Sequence, residues 1–299
     1  MQESDLHNST MKRILSAMLF AGLASFAAAQ RTAPQSYTET TIPIVLGESR
    51  TFRSTILSED RTLNIYLPPS YADSSAKRYP VIYVLDGGLD EDFIHIAGLV
   101  QYNTFPWIMQ IPESIVVGIA NVNRRRDFTT PSPRATDQKL LPAAGGANKF
   151  ISFLEAEVLP LVEKSYRAAP ERTIIGQSLG GLLATQVLLQ KPAMFSNYII
   201  ISPSLWWNGG ALLKAKSAIL DSAWTIPLNI YIGVGKEGLT PDSPPRMMEV
   251  DAGALAARLQ SGGSKALRIV FDYLPEETHA TVTHNAVMRA FRLLWKAAP

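Results

Sequence analysis

The sequence contains no cysteine, which excludes disulfides, thiolate zinc sites, iron–sulfur clusters and a cysteine nucleophile together. Histidine is scarce, with four in 299 residues, so any imidazole-dependent chemistry has few candidates. Charge of one sign is not in excess either: 28 basic against 26 acidic residues give a formal +2, and nothing in that balance points to nucleic acid. With 46% hydrophobic and 18% charged residues the composition is that of a folded globular chain.

One long apolar run is present, and it lies at the start. Met11-Lys12-Arg13 precedes Ile14 to Ala29, which ends in Ala27-Ala28-Ala29. A basic patch, an apolar stretch and small residues before a cleavage point form the pattern of a secretory signal peptide. The stretch is about sixteen residues, short of the roughly twenty that span a bilayer. Residues 1–29 are therefore expected to be a signal, with Met11 as an alternative true start and an N-terminal membrane anchor as the competing reading. The mature protein, residues 30–299, is expected to be exported, periplasmic or secreted, without stable membrane insertion. Its oligomeric state is left open.

From residue 41 onward, strand-like and helix-like periods alternate. Strands are predicted at Ser49–Leu57, Arg61–Leu67, Pro80–Leu85, Ser114–Ala120, Arg172–Gly176, Asn197–Ser202, Pro227–Val234 and Leu267–Tyr273. Helices are predicted near Asp92–Tyr102, Asn148–Tyr166, Leu179–Gln190, Met247–Gln260 and Thr281–Lys296, with a kink at Pro160. The first two strands lack an intervening helix and are expected to enter antiparallel. The remaining β-α repetition implies one α/β domain, a mostly parallel eight-stranded sheet with helices on both faces.

Gly176-Gln177-Ser178-Leu179-Gly180 matches G-x-S-x-G, between the apolar strand Arg172–Gly176 and the apolar helix Leu179–Gln190. A serine on such a strand-to-helix turn has an exposed hydroxyl beside the N–H groups that open the helix. Ser178 is the expected nucleophile. In this fold the acid and then the histidine follow the serine along the chain. His279 in the loop after the last strand is the expected base, and His284, in the first turn of the final helix, is the alternative. The acid is expected after Pro227–Val234: Glu237, or Asp242, or none, which would leave a serine–histidine dyad. For the oxyanion hole the expected donors are the N–H of Leu179 and that of Gly88, in Asp86-Gly87-Gly88-Leu89, with Leu89 next in line. No metal or organic cofactor is required by this chemistry.

Two further loops are expected at the carboxyl ends of the strands, where ligands bind in such sheets. One carries Arg124-Arg125-Arg126-Asp127 and the other Ser204-Leu205-Trp206-Trp207. Arg124, Arg126, Gln177 and Trp207 are the expected substrate-binding residues, suited to an anionic or aromatic acyl group. The plainer alternative makes the arginines a solvated patch with Asp127 as their partner and one tryptophan part of the core.

These segments also resemble a known family. YVLDG, RRRDFT at Arg124–Thr129, GGANKFISFLEAEVLP, GQSLGG, ISPSLWW and the Glu277-x-His279 pair are similar to the "Putative esterase" family of α/β-hydrolases, which includes the siderophore (enterobactin-type) esterases. The resemblance covers nearly all of the mature chain and is most specific from Gly145 to Trp207. It implies Ser178 as nucleophile, His279 as base, Glu237 where some members carry the acid, and an arginine, Arg124 or Arg126, against catecholate oxygens. Gln177 departs from the pattern, since histidine is commoner there. The implied activity is ester hydrolysis through an acyl-enzyme, on a siderophore trilactone or on small acyl esters. Acyl transfer, as in the mycolyl transferases of the wider superfamily, and a non-catalytic binding module are the competing functions.

Overall fold

The computed structural model describes residues 39–73, 76–237 and 248–295. The expected signal segment at 1–29 and Asp242 lie outside the described residues. Contacts divide the chain into residues 1–45 and residues 46–299. Of the first, the described residues 39–45 are exposed and carry no regular structure. The second carries the fold.

Eight strands form one sheet: β1 (Glu48–Ser54), β2 (Glu59–Tyr66), β3 (Tyr79–Leu85), β4 (Ile115–Ile119), β5 (Ala168–Gln177), β6 (Asn197–Ile201), β7 (Leu228–Gly235) and β8 (Leu267–Leu274). Their spatial order is β1-β2-β4-β3-β5-β6-β7-β8. β1 pairs antiparallel with β2, and β2 antiparallel with β4. From β4 through β8 every pairing is parallel. Each strand sits within a few residues of its expected place, because short β-branched runs bounded by turn residues have few other uses.

A parallel sheet must be covered on both faces, and its strands are correspondingly apolar on both sides. Along β3 the alternation is strict: Val81, Tyr83 and Leu85 face one core, Ile82 and Val84 the other. The first core is covered by α4 (Ala147–Phe153), α5 (Leu159–Ser165), α6 (Leu179–Gln190) and α8 (Met248–Ser261). The second is covered by α1 (Phe93–Asn103) and α9 (Val282–Leu294). In α9, Val282, Ala286, Val287, Ala290, Phe291 and Leu294 form one buried stripe at helical spacing. α6 is buried all round, from Leu179 through Leu189, with Thr185 and Gln186 the polar residues among them.

Three short helices were not expected: α2 (Arg124–Asp127), α3 (Ala135–Leu140) and α7 (Trp207–Lys214). The long helix predicted at Asn148–Tyr166 is interrupted by a π-turn at Leu154–Val158. Pro160 then stands directly after the π-turn, in backbone that stays right-handed helical through Val158 and Leu159. The break thus falls one turn before the proline. Among the described residues, no helix is long and apolar enough to cross a membrane.

Candidate active site

β5 lies at the middle of the sheet and ends at Gln177, so the next residue projects from its carboxyl edge. Ser178 has φ 58° and ψ −116°, a left-handed conformation that side chains rarely adopt. Its N–H donates to the Ile201 carbonyl over 3.0 Å, and its own carbonyl accepts from Leu182 at 2.9 Å. The strained residue is thereby fixed to both β6 and α6. Gly176 permits this turn: a Cβ there would stand 2.4 Å from the Gly180 carbonyl oxygen. Leu179 opens α6, so its N–H has no acceptor within the helix and lies beside the serine.

His279 occupies the connection between β8 and α9. That connection is closed by Glu277 N–H to the Leu274 carbonyl (3.0 Å) and by Thr278 N–H to Thr281 Oγ1 (2.9 Å). It is also tied to the end of β7, where Lys236 N–H donates to the Glu277 carbonyl over 2.7 Å. His279 Nε2 lies 3.0 Å from Ser178 Oγ, and Nδ1 lies 2.8 Å from Glu237 Oε2. A carboxylate accepting at Nδ1 fixes the proton there and leaves Nε2 as the acceptor facing the serine.

The Glu237 side chain is 2% exposed and the His279 side chain 43%. The acid is therefore shielded while the base remains open to a ligand. Ser202 donates to the second Glu237 oxygen, Oε1, and the Glu237 N–H donates to Glu249 Oε1 at 2.6 Å. Both oxygens of this buried carboxylate thus have donors, Ser202 on Oε1 and His279 on Oε2. Ser204 Oγ lies 3.3 Å from Ser178 Oγ. Ser202 and Ser204 were missed as site residues, although their place just past β6 put them at the sheet's carboxyl edge. His284, the alternative base, instead stacks on His95 with 5.7 Å between ring centroids.

The expected pocket residues fare differently. Arg124 donates from Nε and Nη2 to Asp86 (2.6 and 2.9 Å) and from Nη2 to the Gln177 carbonyl (3.2 Å). Burial pushes the Asp86 carboxyl above its ordinary value, against the hydrogen bonds from Arg124 and Asn121. Arg126 is held by Glu59 and Asp127. Both of these expected substrate-binding arginines are thus paired with carboxylates of the protein, and about a third of each side chain stays exposed (33% and 34%). Trp207, the other expected substrate-binding residue of these loops, is buried. It is 3% exposed, and its indole N–H donates to the Thr130 carbonyl at 3.0 Å, so it belongs to the core. Gln177 is half-buried and donates to the His279 carbonyl at 3.0 Å, so it holds the loop of the base. The Gly88 N–H is not open in this structure, because Glu91 Oε2 accepts it at 2.7 Å. Among the described residues, no group of three or more histidine and acidic side chains is placed to hold a metal ion.

A parallel-sheet α/β core with a strained serine after its central strand is shared by many hydrolases, so family membership rests on sequence. The family profile described as "Putative esterase" matches residues 54–280, which includes β2 through the His279 loop. This chain belongs to that esterase family. It is a carboxylic-ester hydrolase of the α/β-hydrolase fold. The ferri-bacillibactin esterase BesA of Bacillus subtilis (strain 168) is 32% identical over 254 residues, covering 79% of this chain and 85% of its own. An IroE-like serine hydrolase from Shewanella oneidensis superposes with a TM-score of 0.74 at 30% identity, over 85% of this esterase and 82% of that chain. The BES protein from Bacillus cereus gives a TM-score of 0.74 at 26% identity, over 87% of this esterase and all (100%) of that chain.

Proposed function

We propose that this esterase works by a serine mechanism through an acyl-enzyme. The observation that carries the proposal is the unbroken line Ser178 Oγ, His279 Nε2, His279 Nδ1, Glu237 Oε2, with links of 3.0 and 2.8 Å at its two ends. Ser178 Oγ attacks the ester carbonyl while His279 Nε2 takes its proton, and Glu237 stabilises the imidazolium that forms. The N–H groups of Leu179 and Gly88 receive the oxyanion. His279 returns the proton to the leaving alcohol. A water then gives its proton to the same nitrogen and attacks the acyl carbonyl; the bond to Ser178 Oγ breaks, His279 returns the proton to Oγ, and the acid is released. No cofactor enters these steps.

For the substrate we propose the ester or lactone bonds of a catecholate siderophore, on the strength of the named activity of the Bacillus subtilis relative. For location we propose export to the periplasm or beyond, on the strength of the Met11–Ala29 pattern. The test pairs hydrolysis of a p-nitrophenyl acyl ester with that of a ferric catecholate trilactone, wild type against Ser178→Ala. Ser178→Ala is expected to lose about 10⁴-fold or more of kcat on both while melting like wild type. Unchanged turnover in that variant would remove the serine mechanism. Cleavage of the acyl ester without the trilactone would leave a general carboxylesterase, and ester formation with an added sugar acceptor would indicate transfer. Sequencing the amino terminus of exported protein is expected to begin at Gln30.

A further inference from the structure

In the turn that follows β3, the N–H groups of Gly87, Gly88 and Glu91 all have acceptors. Asp86 adopts φ 57°, and the Gly87 N–H donates to the Ile119 carbonyl at 3.0 Å, continuing the sheet. The next N–H, that of Gly88, is the first on this turn that the sheet does not use. It meets the carboxylate of Glu91, whose Oε2 lies 2.7 Å away. The turn is closed by the Glu91 N–H donating to the Gly88 carbonyl at 3.1 Å. The other carboxylate oxygen, Oε1, accepts from Asn121 Nδ2 at 2.7 Å, and the same nitrogen donates to Asp86 Oδ1 at 2.6 Å. These two carboxylates fix the orientation of the Asn121 amide, whose Oδ1 is buried without a partner.

An anionic oxygen at hydrogen-bond distance from a backbone N–H is the arrangement an oxyanion hole presents to a tetrahedral intermediate. Here a side chain of the protein supplies that oxygen. The ester oxygen and Glu91 Oε2 cannot both occupy the Gly88 donor. A carboxylate left nearby would also repel the charge that develops on the substrate oxygen. Glu91 is only half-buried, and it sits on a turn between β3 and α1. Rotation about its side-chain bonds would carry the carboxylate off the Gly88 N–H, with loss of its hydrogen bond from Asn121.

We infer that Glu91 is a gate on the oxyanion hole, holding the Gly88 N–H in the free enzyme and leaving it when the ester carbonyl enters. The inference rests on the assignment of Gly88 as an oxyanion donor to Ser178. It makes Glu91 a brake on the reaction, in contrast to the cap that its hydrogen bonds alone would suggest. The two roles predict opposite signs. With the gate removed the hole stands open, so acylation speeds up. With a cap removed the turn loosens, acylation slows, and the isosteric amide restores it.

The experiment measures the second-order rate of Ser178 labelling by a fluorophosphonate, together with kcat and KM on a p-nitrophenyl ester. It compares wild type, Glu91→Gln and Glu91→Ala, with melting temperatures alongside. The gate predicts that labelling rises in the order wild type, Gln, Ala, by about threefold and then about tenfold, as a competing charge and then a competing acceptor are removed. Unchanged rates, or a slower Ala variant rescued by Gln, would overturn it. Should the Ala variant melt early, the isosteric Gln variant decides alone by the direction of its rate. If wild type takes up no phosphonate at Ser178, the site assignment itself fails and the gate falls with it. Labelling of wild type with no gain in the variants removes only the gate.

Discussion

The Gln177 side-chain amide donates to the backbone carbonyl of His279 over 3.0 Å, and the same nitrogen lies 3.3 Å from His279 Nε2. The residue before the nucleophile therefore holds the loop that carries the base. Only the amide nitrogen can face a carbonyl oxygen, so the orientation of Gln177 is determined by its partner. Gln177→Leu removes this tie without touching Ser178. Its kcat is expected to fall about threefold to tenfold with little change in KM, because a misplaced base affects the transition state more than ground-state binding. Steady-state kinetics on a p-nitrophenyl ester give the answer, and a rise in KM alone would contradict it.

Glu237 is placed by Ser202 as well as by the histidine. Glu237→Gln leaves the shape intact but takes the charge from beside the imidazolium, and kcat is expected to drop about 10²- to 10⁴-fold. Ser202→Ala leaves one buried carboxylate oxygen short of a donor, with a smaller expected loss of about threefold to tenfold. The double variant should be no worse than Glu237→Gln alone, since the serine acts only through that carboxylate. Additive losses would show that Ser202 has a separate role.

Arg61 is fully buried (0% exposed side chain), and its Nη1 lies 2.8 Å from Asp127 Oδ2. Its guanidinium also lies over the rings of Phe150 and Phe153, at 5.2 and 5.5 Å. Asp127→Ala would leave a buried cation with weaker compensation, at a cost of about 3–5 kcal/mol. Thermal melting should move down by roughly 10 °C. Arg61→Met added to Asp127→Ala should recover part of that loss, because it removes a buried cation left with Glu59 as its remaining carboxylate partner.

Hydrogen bonds from Arg126 hold the Glu59 carboxyl below its ordinary value of 4.5, burial opposes them, and Arg61 adds to them. A carboxyl lowered in the folded state binds protons more readily in the unfolded chain. Its stabilisation is present above the unfolded value and is lost as pH falls through the folded one. Wild type should therefore lose melting temperature on acidification below about pH 4.5. Glu59→Gln should melt lower at neutral pH and show a shallower decline over the acid range. Parallel melting curves for the two proteins would show that Glu59 contributes nothing to acid sensitivity.

Much of this arrangement was legible in sequence because it is local. The strand before Ser178 and the helix after it are contiguous runs, and the chain order of acid and histidine follows from the fold. What escaped depends on partners distant in the chain. Asp127 is the neighbour that the sequence offers the arginines, and it does pair with Arg126, but Asp86 and Glu59 come from 38 and 67 residues earlier. Trp206 and Trp207 are indistinguishable by type. Which of them is buried is decided at α7, where Asn208, Gly209 and Gly210 take positive φ and turn the chain. The Glu91 contact is short-range but depends on side-chain torsions, which no periodicity reports.

The sheet order gives the parts of this site unequal security. Ser178 follows β5, which has neighbours on both sides at the middle of the sheet, whereas His279 follows β8, which is paired only with β7. Local opening begins where the ladder is bonded on one side and reaches the centre last. On heating, the base and its loop should come away while the serine turn is still folded. The enzyme would then lose turnover before it loses its core, and cooling from that stage would restore activity without refolding the whole chain.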